Sequence, residues 1–314
     1  MPVYLDDRQA FILSKESEMK VIIDCHLDSL VFYYNRGLNF FKEIDPEAQT
    51  NWKNIKNADV IPFLAIYIEE KFKPDRAWER FIRIYNFYQN YLNSMFNQEK
   101  TSFYLSVEGG EVIDNLLKIE QLKQLGVASL TLTWNYKNLI ADGVLENNPQ
   151  GLTTFGRKVV RELNEKKILI DAAHLAEPGF WDLIDLSEKP FIVSHANCRS
   201  LCDHPRNLSD RQIKALAAKG GVIGISFVPD FISAEFPTLE KLVAHFIHVA
   251  EIAGVNVLAI GSDFDGMEKR VGGLEDCTKY QNLKEALLRA GFLPGEVEKI
   301  FYQNIDRVLK EVLY

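Results

Sequence analysis

Positive charge is the first thing in short supply: 36 lysines and arginines stand against 44 aspartates and glutamates in 314 residues, a formal net charge of -8 at pH 7. Such a balance leaves no basic stripe to neutralise phosphates, so nucleic acid is not an expected partner. Long apolar runs are missing too. No stretch reaches the roughly 18 apolar residues that a membrane span needs, and residues 1–7 lack the cationic start and apolar run of a secretion signal. The expectation is a cytoplasmic protein without membrane association. Cysteine is scarce, and its four positions (Cys25, Cys198, Cys202, Cys277) include no Cys-x-x-Cys pair. This spacing argues against a disulfide framework or a thiolate metal site, and for reduced thiols buried as small apolar groups.

Breaks in composition are equally rare. The one Pro/Gly/Asn cluster near the middle, Asn147-Asn148-Pro149-Gln150-Gly151, is loop-sized, and no repeat or low-complexity segment divides the chain. A single domain over 1–314 is expected. Within it, short runs rich in Ile, Val and Leu recur between helical patterns, as parallel strands covered on both faces should. Eight such runs occupy 21–24, 61–68, 103–107, 129–133, 168–171, 191–194, 222–227 and 257–260. Eight strand-then-helix units in this length predict a closed (β/α)₈ barrel of the TIM type.

The helices carry their own marks. Ser209-Asp210-Arg211-Gln212 reads as a capping box, with Gly220-Gly221 as the stop, and a further helix is predicted from Thr238 to Gly254. Over 76–98, Trp78, Phe81, Ile82, Tyr85 and Leu92 share one helical face, which reads as core or interface and not as a cofactor site.

Catalytic groups in such a barrel project from the C-terminal ends of strands. Run 1 leads into His26-Leu27-Asp28, where strand alternation would aim one imidazole and one carboxylate at the same point. Run 3 ends in Glu108, run 5 in His174, run 6 in His195 and run 8 in Asp263, inside Gly261-Ser262-Asp263-Phe264-Asp265-Gly266. Three of only six histidines fall at this level, together with three carboxylates. Imidazole nitrogen with carboxylate oxygen suits zinc, and the number of ligands suggests two ions. His245 and His248 read as structural, and His204 as a residue bordering the pocket. Arg206, in the loop after run 6, is placed to grip a substrate carboxylate. Gly109, Gly110 and Gly266 read as tight turns.

The ordered segments Val159-Val160-Arg161-Glu162-Leu163-Asn164, Ser194-His195-Ala196-Asn197, Asp203-His204-Pro205-Arg206-Asn207-Leu208, Gly220 to Ile225, Gly261 to Gly266 and Gly273-Leu274-Glu275-Asp276 resemble the membrane dipeptidase (renal dipeptidase) family of binuclear zinc peptidases, over most of the chain. The resemblance implies a metal-dependent hydrolase barrel that cleaves small dipeptides with two Zn²⁺. It assigns His26 and Asp28 to one zinc, His174 and His195 to the other, and Glu108 to both. It makes Asp263 the acid/base carboxylate and Arg206 the clamp for the C-terminal carboxylate of the dipeptide. It also implies tolerance of a D-residue at that position, and homodimers.

Two departures stand out. Where many relatives read Thr-His-Asn after strand 4, this chain reads Thr133-Trp134-Asn135, so Trp134 and Asn135 become the expected substrate-facing pair with the carbonyl-polarising histidine absent. A common Gly-Asn pair reads Gln303-Asn304, where only helix packing should be affected. Two rivals share these ligands: a cyclic-amide hydrolase, lactonase or deaminase of the same barrel class, and a metal-binding scaffold without turnover. The first would not need Arg206 for a carboxylate, and the second has Trp134 as its only support.

Overall fold

Strands β1 (Ile22–Leu27), β2 (Val60–Tyr67), β3 (Tyr104–Glu108), β4 (Val127–Thr131), β5 (Leu169–Asp171), β6 (Ile192–Ala196), β7 (Val222–Ile225) and β8 (Leu258–Ile260) pair in parallel, each with the next. β8 closes the ring through Asp24 and Ile260. The computed structural model describes residues 21–96 and 103–314. Residues 1–7, on which the expectation of no secretion signal rests, lie outside the described residues. The barrel expected from the eight apolar runs is therefore present, with strand ends shifted by a few residues.

The strands form where aliphatic side chains must be covered on both faces, and β1, β6, β7 and β8 are buried along their whole length. One apolar cluster lies between strands and surrounding helices. A second gathers Ile23, Phe63, Leu169, Ile192, Val222 and Ala259 at the N-terminal end of the barrel, beneath Ile305, Val308, Leu309 and Val312 of the last helix, Asn304–Leu313. That helix plugs the end opposite the strands' C-termini. Asn304 helps to seat it, donating to the backbone oxygens of Val255 and Leu258.

Local signals set the helix limits. Ser209 and Gln212 form the capping box over Asp210–Ala218. Thr238 caps Leu239–Ala253, and Gly254, at φ 84°, ends it in a conformation that disfavours a side chain. The aromatic-striped helix runs Ala77–Phe96, with Phe81, Tyr85 and Leu92 in the core; the last two residues expected for it lie outside the described residues. All four cysteines are free and buried. Among the described residues, no helix is long and apolar enough to cross a membrane.

Candidate metal and substrate site

The C-terminal ends of the strands open onto a cavity of about 560 Å³. His26 approaches from β1, where the register against β2 shifts between Asp24 and Leu27 and re-aims the side chain. Asp28 is not a strand residue. It flanks the start of the helix Ser29–Asn35 at φ -88°, so a turn, and not strand alternation, brings its carboxylate to 3.7 Å from His26 Nε2.

Glu108 closes β3 and divides its two oxygens. Oε2 lies 3.6 Å from His26 Nε2, while Oε1 lies 2.8 Å from His174 Nε2 and 3.5 Å from His195 Nε2. Asp263 Oδ2 stands 4.0 Å from His195 Nε2. Donor atoms of three overlapping sets, His26–Asp28–Glu108, Glu108–His174–His195 and His26–His195–Asp263, fall within 4.8 Å of one another. His174 and Asp263 lie past their strands and adopt left-handed backbone, at φ 64° and 66°. A Cβ at Gly266 would meet Asp28 Oδ2 at 2.2 Å and Asp263 Oδ1 at 2.5 Å, so a side chain there would displace both carboxylates.

The donor set fits divalent cations. His174 Nδ1 meets Asn135 Oδ1 at 2.7 Å, and an amide oxygen only accepts, so Nδ1 carries the ring hydrogen and Nε2 presents a lone pair. That nitrogen lies 3.0 Å from His195 Nε2 and faces a carboxylate oxygen, an arrangement that calls for a proton or a cation among them. Among the described residues, His26 Nε2 and Asp28 Oδ1 are buried without a hydrogen-bond partner.

Charge repeats the message. Burial opposes a proton on His26, but Glu108 and Asp28 outweigh it and push the imidazole well above its ordinary range. Burial alone would raise Glu108; the charge of His26, with the imidazole of His174 alongside, drives it well below instead. Burial, helped by Arg206, lowers His174 to about 3 and takes His195 well below its ordinary value, so both rings are neutral donors. Burial also pushes Asp263 well up, with Asp28 and Glu108 adding to it against His26.

Arg206 faces this cluster across the cavity. Its guanidinium is buried, donates from Nη2 to His195 O at 3.1 Å, and keeps Nε without a partner among the described residues. Among the described residues no carboxylate comes within 4.0 Å of it. Burial lowers it to about 10 against the pull of Asp263 and Glu108. His204 borders the cavity as expected, packs on Phe231 and accepts from Arg206 N at 3.2 Å. His245 is buried between Cys198 N and Ile232 O, and His248 bonds Asp210 and Ser200, away from the site.

Trp134 and Asn135 both line the cavity. The indole stands 5.1 Å from the Tyr67 ring and 5.9 Å from that of His174, with Lys73 Nζ 4.8 Å from its centroid. Sequence reasoning passed over Tyr67, although the rule that found Glu108 also points to the polar end of β2. It passed over Asp265 too, which lies at φ 68° and accepts from Ser29, Thr50 and Gln49, holding the Asp263 loop to the first helix and the segment after it.

A closed parallel barrel with neutral imidazoles and carboxylates gathered at its C-terminal mouth defines the class of metal-dependent barrel hydrolases. The chain matches the membrane dipeptidase family (peptidase family M19) over residues 15–313, and it belongs to that family. It is 36% identical over 223 residues to dipeptidase tcpJ of Claviceps purpurea, covering 69% of this chain and 52% of the relative. To dipeptidase verJ of Clonostachys rogersoniana it is 34% identical over 221 residues, covering 69% and 57%. The chain thus spans about half the length of these curated relatives. A metallo peptidase from Rhodobacter sphaeroides, solved with a phosphinate mimic of the dipeptide L-Ala-D-Ala, shares the fold at a TM-score of 0.83 and 21% identity, over 93% of this chain and 99% of that one.

Proposed function

We propose that the chain is a zinc dipeptidase that holds two Zn²⁺ and hydrolyses small dipeptides, with a D-residue accepted at the C-terminal position. One observation carries the reading. A buried guanidinium without an ion-pair partner among the described residues shares one cavity with a surplus of carboxylate and imidazole donors. That cavity suits a ligand with a carboxylate at one end and a reacting carbonyl at the other.

His26 and Asp28 would hold one ion and His174 and His195 the other, with Glu108 offering one oxygen to each. Zinc, when bound, supplies Lewis acidity that lowers the pKa of water and polarises a carbonyl. Arg206 would bind and orient the C-terminal carboxylate through two parallel N–H donors. Asp263, on the cavity wall, would take a proton from the attacking water and return it to the leaving amine. Trp134 and Tyr67 would wall the other end, and Asn135, engaged with His174, would act on substrate through that ring as well as by lining the cavity. The dipeptide mimic bound by the Rhodobacter sphaeroides protein supports the substrate class and the D-configuration.

Metal analysis joined to a stereochemically resolved dipeptide panel tests the proposal. Hydrolysis of free dipeptides by protein with two zinc ions is the expected result. Turnover of lactones or cyclic amides in preference to every dipeptide would overturn it.

A further inference from the structure

Asp171, at the end of β5, does not line the cavity and belongs to none of the three donor sets, yet both its oxygens are fully engaged. Oδ1 accepts from the backbone N–H groups of Ala173 and Ser194, each at 2.9 Å. Oδ2 accepts the hydroxyls of Thr131 at 2.8 Å and Ser194 at 2.5 Å. Ser194 Oγ has a second neighbour, His195 Nδ1, at 2.8 Å.

A serine has one hydroxyl hydrogen, and it can go to Asp171 or to the ring, not to both. The carboxylate wins, because a charge-assisted O–H···O⁻ bond of this length is roughly twice as strong as a neutral one to nitrogen. Ser194 Oγ then meets His195 only with lone pairs, so Nδ1 must donate. A neutral imidazole has one N–H. Nε2 is therefore left as a bare lone pair, aimed at the space shared by Glu108, His174 and Asp263.

We propose that Asp171 and Ser194 are positioning residues that lock His195 in the Nδ1–H tautomer and so preset Nε2 as a metal-ligating atom. His174 receives the same instruction directly from Asn135 Oδ1. His195 needs a relay because Asp171 lies one side chain too far away, and the register shift of β6 against β7 between Val193 and Ala196 accompanies the turning of consecutive residues, Ser194 and His195, toward these two partners. The consequence for affinity rests on the zinc reading above; the tautomer itself does not.

Both parts can be measured on the full chain. In metal-free protein labelled with ¹⁵N at histidine, long-range ¹H–¹⁵N correlation should report His195 as Nδ1–H. Asp171→Asn keeps the shape, but its amide would donate to Ser194 Oγ, turn the hydroxyl toward Nδ1 and invert the tautomer to Nε2–H. Ser194→Ala should release the lock and weaken Zn²⁺ binding about 10–100-fold in competition with a chelating dye, and Ser194→Thr should restore it. A purely structural role would lower the Tm of metal-free protein without changing the tautomer. Wild-type His195 found as Nε2–H, or an unchanged tautomer in both Asp171→Asn and Ser194→Ala, overturns the relay. Wild-type protein that shows Nδ1–H but binds neither Zn²⁺ nor Co²⁺ sinks the zinc reading and leaves the relay standing.

Discussion

Arg206→Met separates what this residue does for substrate from what it costs the fold. Burial moves the guanidinium from 12.5 to about 10, which at about 1.4 kcal/mol per tenfold change means the folded chain disfavours this charge by roughly 3 kcal/mol. The cost is present at every pH below about 10, where the group is charged in both folded and unfolded chains. Methionine fills a similar volume without charge, so ligand-free Arg206→Met should be as stable as wild type or melt up to several degrees higher. Activity should move the other way. A dipeptide carboxylate that loses its buried partner forfeits about 2–5 kcal/mol, or roughly 30-fold to several thousand-fold in kcat/KM, mostly through KM. The assay compares free and C-terminally amidated dipeptides in both proteins. Wild type should prefer the free acid strongly, and the variant should show little preference. Equal wild-type rates on the two, or a variant that loses stability along with activity, would refute the reasoning.

Chelation should abolish activity and zinc should restore it, with close to two ions per chain by elemental analysis; full activity with one ion and a harmless Glu108→Gln would remove the two-ion arrangement. Asp263→Asn should lower kcat about 10²–10⁴-fold, the usual worth of a proton-transfer group, while metal content stays at the wild-type value; a fall in metal content would make Asp263 a ligand instead. Trp134→Phe keeps an aromatic ring at this position but removes the indole N–H and shrinks the ring system, so a changed ranking of dipeptide side chains or a lower kcat marks a working donor or wall; an unchanged ranking and kcat/KM, in Trp134→His as well, assigns it to packing.

The barrel was legible because parallel strands buried on both faces must be written as aliphatic runs, and little else in a chain of this composition looks like that. Glu108 and His195 were legible for a related reason, as polar residues at or near the ends of such runs. His174 and Asp263 were found by the same rule but stand farther along, in left-handed backbone that neither a glycine nor an asparagine announces. Asp28 was found for the wrong local reason, since a helix start delivers it and not strand alternation. The relay through Asp171 was invisible, because a serine and an aspartate 23 residues apart meet only once β5 and β6 lie side by side.

Positive φ at His174, Asp263 and Asp265 gives those losses of legibility a physical meaning. Each such non-glycine residue costs about 1–3 kcal/mol and persists only where its surroundings over-determine it. They do so here. Asp263 N donates to His26 O at 3.1 Å, Asp263 O accepts from Gly266 N at 3.1 Å, His174 O accepts from Val144 N at 2.8 Å, and Asp265 N donates to Gln49 Oε1 at 2.8 Å, so surrounding strands and loops hold each residue by its backbone. Substitution at these positions tests side chain and strain together: glycine would relieve the backbone and delete the chemistry, whereas asparagine tolerates the left-handed region and nearly keeps the shape of aspartate. Asparagine is therefore the informative replacement at Asp263, since lost activity at unchanged Tm can then be charged to the carboxylate alone.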